Sequence, residues 1–196
     1  MKKRFVLPAI LLCCNIAILA QTANTLTPVA AILFKNVKTK LTTAEKNAIA
    51  TKLGFILSGD KDQPFAMDKD SKDFPFTAIV LPTDMNKDGK EEVFVSFGNT
   101  YTSGNTGSSV SLFIKDAAGI YTDNFGFPGT IPEALITANL GYPDLLIGGP
   151  GFEFPVWRWN GKMYKDYKTV KDKDYGKLKT TSIDALSKTY QQTIKE

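Results

Sequence analysis

The chain has 196 residues, with 24 basic and 20 acidic side chains, a formal charge of +4, two cysteines and no histidine. Without histidine, Ser-His-Asp and Cys-His catalysis and histidine-ligated zinc are excluded within this chain. The small net charge gives none of the strong basic field that drives binding to nucleic acid.

Lys2, Lys3 and Arg4 precede an apolar run from Phe5 to Ala20, interrupted by Pro8 and Asn15. A basic end, an apolar centre and a small exit residue make the order of a secretory signal. Residues 1–20 are therefore expected to be a signal peptide cleaved after Ala20, with Gln21 as the new start. The run is about 16 residues, short of the roughly 20 needed to span a bilayer, so no stable membrane span is expected after cleavage. A lipid-modified start at Cys14 fits less well, because Cys13 stands before it and the apolar run continues past it. Cleavage removes Cys13 and Cys14, the only cysteines, and leaves 21 basic against 20 acidic side chains. A periplasmic or secreted body without thiols is expected, and about 176 residues can bury a core without disulfides.

Residues 21–36 look like a polar, mobile leader, and residues 37–196 like a single β-rich domain with terminal helices. Thr42 and Glu45 have capping-box spacing, Ala48, Ile49 and Leu53 share a helical face, and Gly54 is placed to end the helix. Residues 55–58 suggest a short strand, and 67–73 a charged loop. Strands are expected at 76–81, 91–98, 109–116, 144–149 and 155–160, with a polar loop over 99–109. Asn160-Gly161 is the strongest hairpin signal in the chain. A charged stretch follows at 168–180. Ile183, Leu186, Tyr190 and Ile194 then recur at helical intervals behind Ser182. Two stretches share an order: polar turn, strand, glycine-rich connection, strand, tight turn, aromatic end. The first begins near Thr83 and the second near Thr137. The fold class expected is mainly β with flanking helices (α+β), built from two degenerate β repeat units and not a closed propeller.

One motif stands out. Asp84, Asn86 and Asp88 alternate, Gly89 follows, and Glu92 stands at the ninth position. Calcium takes about six to eight hard oxygen ligands, and a short turning loop can aim alternate side chains at one ion. Asp84, Asn86, Asp88 and Glu92 would supply side-chain oxygens and Lys90 its backbone carbonyl, with Gly89 permitting the sharp turn. Val95 holds the position where an EF-hand needs a bidentate Glu, which argues against an EF-hand. The loop and its following strand, Val93 to Phe97, resemble the calcium-binding repeats of the FG-GAP and VCBS families over about residues 76–167. That resemblance implies an extracellular β repeat with calcium bound between strands, in a structural role. The second unit keeps the strand and the Trp-Asn-Gly end but lacks the alternating carboxylates, so one site at most is expected.

Trp157 and Trp159 are two apart on an expected strand and share a face. With Tyr164 they form a candidate stacking platform for a sugar or peptide, with core packing as the alternative. Glu133, Asp144 and Glu153 are the acids nearest the aromatic-rich region. The function expected is an exported, calcium-stabilised binding or structural module recognising an extracytoplasmic protein or glycan. The alternative is a carbohydrate-active hydrolase using a carboxylate pair.

Overall fold

The structure, a computed structural model, describes residues 25–149, 151 and 153–195. The expected signal peptide lies outside the described residues.

Helix α1 (Pro28–Leu33) begins at Thr27, whose side chain accepts the Ala30 N–H, with Pro28 at the first helical position. Ala30 and Leu33 are buried in the core, which corrects the expectation of a mobile leader through residue 36. Helix α2 (Thr43–Leu53) is set by the expected capping box: Thr42 accepts the Glu45 N–H, and the Glu45 carboxylate accepts the Thr42 N–H at 2.8 Å. A two-stranded ribbon follows, β1 (Ile56–Leu57) paired with β2 (Phe65–Ala66).

Two antiparallel meanders then make up most of the chain. The first sheet runs β3 (Ala78–Thr83), β4 (Glu92–Phe97), β5 (Ser109–Lys115) and β6 (Tyr121–Pro128) in sequence order, with the short helix α3 (Thr100–Ser103) before β5. The second contains β7 (Glu133–Asn139), β8 (Tyr142–Leu146), β9 (Glu153–Trp159) and β10 (Tyr164–Lys171). After helix α4 (Asp172–Tyr175), strand β11 (Thr180–Ser182) joins β7 at the far edge, giving the order β10-β9-β8-β7-β11. Helix α5 (Ile183–Thr193) closes the chain, capped by Ser182 and packed along β3. The fold is thus mainly β with flanking helices, and neither meander closes into a barrel or propeller.

The alternation along β4 shows how the layers form. Val93 and Val95 face α1, α2 and the β1–β2 ribbon, in a cluster with Leu33, Ile49, Phe65 and Phe76. Phe94, between them, faces the second sheet, with Leu112, Phe125, Leu145, Trp159 and Tyr164. A period of two on a strand buried on both sides gives this division directly. Phe94 is fully buried, and Phe94→Ala should cost about 3–5 kcal/mol through the cavity it opens between the sheets. The outer face of the second sheet carries a smaller cluster of Leu135, Leu146, Val156 and Val170. Among the described residues, no helix is long and apolar enough to cross a membrane.

Candidate functional site: the acidic loop between β3 and β4

The β3–β4 hairpin is in register up to Thr83 opposite Glu92, and the residues between form the acidic loop. Its side chains fold back on its own backbone. Asp84 Oδ2 accepts the Gly89 N–H at 3.1 Å, Asn86 Oδ1 the Asp88 N–H at 3.1 Å, and Asp88 Oδ1 the Lys90 N–H at 2.8 Å. Gly89 takes a positive φ of 82°, where glycine is favoured, and Lys87 takes 60°. These bonds leave one atom stranded. Asp84 Oδ1 is sealed from solvent and has no hydrogen-bond partner, a costly condition for a carboxylate oxygen.

Glu92 lies directly behind this loop, 1% exposed. Its Oε2 accepts the Met85 N–H at 2.8 Å, and the Tyr142 hydroxyl from the second sheet faces the same carboxyl group. Burial pushes the Glu92 carboxyl up to about 8; the Met85 N–H and the Tyr142 hydroxyl pull it down, and Asp84 and Asp88 push it up. Among the described residues, no lysine or arginine forms an ion pair with Asp84, Asp88 or Glu92. Asp84 and Asp88 therefore stand here without a protein cation, beside a Glu92 carboxyl that burial drives toward its neutral form.

The chemistry of the donors suits a hard cation: Asp84, Asn86, Asp88, the Lys90 carbonyl and Glu92 offer oxygens only. The stranded Asp84 oxygen is a free ligand of the right kind. Asp84, Asp88 and Glu92 do not draw together as a set, however: among the described residues, no three Asp, Glu, Cys or His side chains are grouped to hold a metal ion. Glu92 is turned to the Met85 N–H. Val95, at the EF-hand closing position, is fully buried in β4.

The aromatic residues singled out in the sequence are divided. Tyr164 is 1% exposed, and its hydroxyl donates to the Pro143 carbonyl at 2.8 Å. Trp159 is 9% exposed and packs on Tyr142 at 4.5 Å and Tyr164 at 5.6 Å between ring centroids. Trp157 is half-buried and stacks on Phe127 at 5.0 Å. Trp157, Trp159 and Tyr164 therefore do not form one open platform. The alternation that gives the two tryptophans a common face turns that face toward the other sheet.

Asp144 is fully buried and held by a bidentate pair: Arg158 Nε at 2.8 Å and Nη2 at 2.7 Å, with the Thr137 hydroxyl as a third donor. The Arg158 guanidinium lies 3.6 Å from the Tyr167 ring centroid. A carboxylate committed in this way is not an open acid or base. Sequence reasoning missed this pairing, and also Glu91. Glu91 Oε1 accepts the Lys40 N–H at 2.7 Å, its Oε2 accepts the Thr39 hydroxyl, and its backbone carbonyl accepts the Tyr121 hydroxyl at 3.0 Å. An acid at the start of an apolar strand was the available signal for Glu91.

A cleft of about 700 Å³ opens beside this end of the molecule, between the β5–β6 and β9–β10 turns, lined by residues that include Ile114, Thr122, Asn124, Trp159, Lys162 and Met163. No family model, curated protein or solved structure matches the chain.

Proposed function

We propose that this chain is an exported binding or structural module, steadied by one calcium ion at the β3–β4 loop, that recognises a protein or glycan outside the cytoplasm. The observation that carries the reading is the sealed, unpartnered Asp84 Oδ1 in a loop whose acids have no ion pair among the described residues. A cation there would give Asp84 a partner, favour the ionised form of Glu92 and offset the repulsion that ionisation brings against Asp84 and Asp88. The basic start and apolar run of residues 1–20 support export. The order of strand, acidic loop and strand supports kinship with the FG-GAP and VCBS repeats.

Calcium at this loop would be structural: Asp84, Asn86, Asp88, the Lys90 carbonyl and Glu92 would hold it once their side chains turn from the N–H groups they now accept, and it would supply charge neutralisation. Isothermal titration of the mature protein with calcium tests the reading. One ion should bind with a dissociation constant of about 10⁻⁴–10⁻³ M, the range of extracellular modules. Absence of binding up to about 10 mM, beyond that range, contradicts it. Cell fractionation tests export, which fails if the protein stays in the cytoplasm with its first residues intact.

A further inference from the structure

We propose that the cleft between the β5–β6 and β9–β10 turns binds an acidic sugar, with Lys162 receiving its carboxylate; the proposal rests on the reading of the chain as a binding module and names the ligand class. The volume of about 700 Å³ lies within the roughly 300–1,000 Å³ typical of small-molecule sites. Its wall is mostly apolar, made by half-buried Met163 and by the small exposed fractions of the otherwise buried Ile114 and Trp159.

The charges on the cleft wall do not cancel uniformly. Lys115 is taken by Glu45 at 2.7 Å, and Asp123 faces Lys52 at 3.8 Å. The Asp116 carboxylate caps its own turn, accepting the Ala118 and Ile120 N–H groups. Lys162 forms no ion pair among the described residues. The cleft thus presents one uncommitted cation.

Two neutral donors are also uncommitted. Asn124 is 8% exposed, and its Oδ1 accepts the Tyr164 N–H at 2.8 Å. Among the described residues its amide nitrogen donates no hydrogen bond, and neither does Trp159 Nε1. The sealed polar atoms without partners are elsewhere, at Asp84, Trp157 and Tyr190. The free donors of Asn124 and Trp159 therefore keep access to solvent at residues that line the cleft. One cation and two neutral donors around an apolar wall call for a ligand rich in acceptor oxygens that carries a carboxylate within reach of Lys162.

The test is isothermal titration of the mature protein, in calcium, with digalacturonic acid, with neutral cellobiose, and with an acetylated tripeptide bearing a free carboxylate. Digalacturonic acid should bind about tenfold more tightly than cellobiose, as one charge-assisted hydrogen bond allows. Lys162→Gln should remove that advantage with unchanged melting, since Lys162 is exposed. No binding of digalacturonic acid, equal affinity in Lys162→Gln, or preference for the tripeptide would overturn the proposal. Calcium binding at the β3–β4 loop is read separately, so failure at the cleft leaves the module reading to stand or fall on its own measurement.

Discussion

Gly141, in the β7–β8 turn, sits against Asn86 of the acidic loop: a Cβ added at Gly141 would lie 3.9 Å from the Asn86 Cβ. The next residue, Tyr142, turns its hydroxyl toward the Glu92 carboxyl. The second meander therefore covers the loop of the first, and the buried acid couples the two sheets. Tyr142→Phe keeps the ring and deletes the hydroxyl that faces Glu92. It should lower stability by about 1 kcal/mol, the order of one buried hydrogen bond, measured by urea unfolding. An unchanged midpoint would remove Tyr142 from the coupling.

Asp144 and Arg158 give the pH dependence. Burial pushes the Asp144 carboxyl up, but hydrogen bonds from Arg158 and Thr137, with the charges of Arg158 and Lys168, more than offset this and hold it below the ordinary range. A carboxyl depressed in the fold contributes stability that is present above its ordinary value, near about 3.9, and is lost as pH falls through the folded value. Acid unfolding should therefore steepen below about pH 4. Arg158→Gln leaves Asp144 buried without its cation, so burial then raises its carboxyl above the ordinary value; the variant should be destabilised most at neutral pH and should lack the Asp144 share of the wild type's stability loss below about pH 4. At neutral pH it should cost about 2–4 kcal/mol, less than a fully sealed pair because the Arg158 side chain is 29% exposed. Acid titration followed by circular dichroism checks both.

Leu140 holds a positive φ of 50° and is 68% exposed. A leucine in the left-handed region costs roughly 1–2 kcal/mol, and Asn-Gly is the favoured pair for such a two-residue turn. Leu140→Asn should raise stability by about 0.5–1 kcal/mol in a thermal melt. A fall instead would mean that the packing of Leu140 against the neighbouring Gly161 turn outweighs the backbone strain.

Elements with local signals were legible in the sequence. Helices α2 and α5 carry side-chain caps at Thr42 and Ser182, and β4, β5 and β9 carry clear apolar runs. Strand β7 was missed because its pairing shifts between Ala134 and Ala138. The irregularity breaks the alternation and leaves Ile136 76% exposed. Strand β10 runs into the stretch read as charged and irregular. It is an edge strand, and from Lys165 to Thr169 it is exposed throughout, so no apolar period marks it, and lysines protect such an edge. Helix α1 has only six residues, too few to display a period. The acidic loop was legible because its residues are neighbours in sequence. Its cover by Tyr142, and the Asp144–Arg158 pair, join residues from different strands, and a single sequence carries no signal for that pairing.

Thermal melting in calcium and in chelator, for the wild type and for Asp84→Asn and Asp88→Asn, tests the central claim most directly. With calcium at about ten times its dissociation constant, binding should add about 1.4 kcal/mol, or roughly 3–5 °C for a domain of this size. The shift should vanish in both variants. Equal melting of the wild type in calcium and in chelator, or a shift that survives in both variants, would contradict the account.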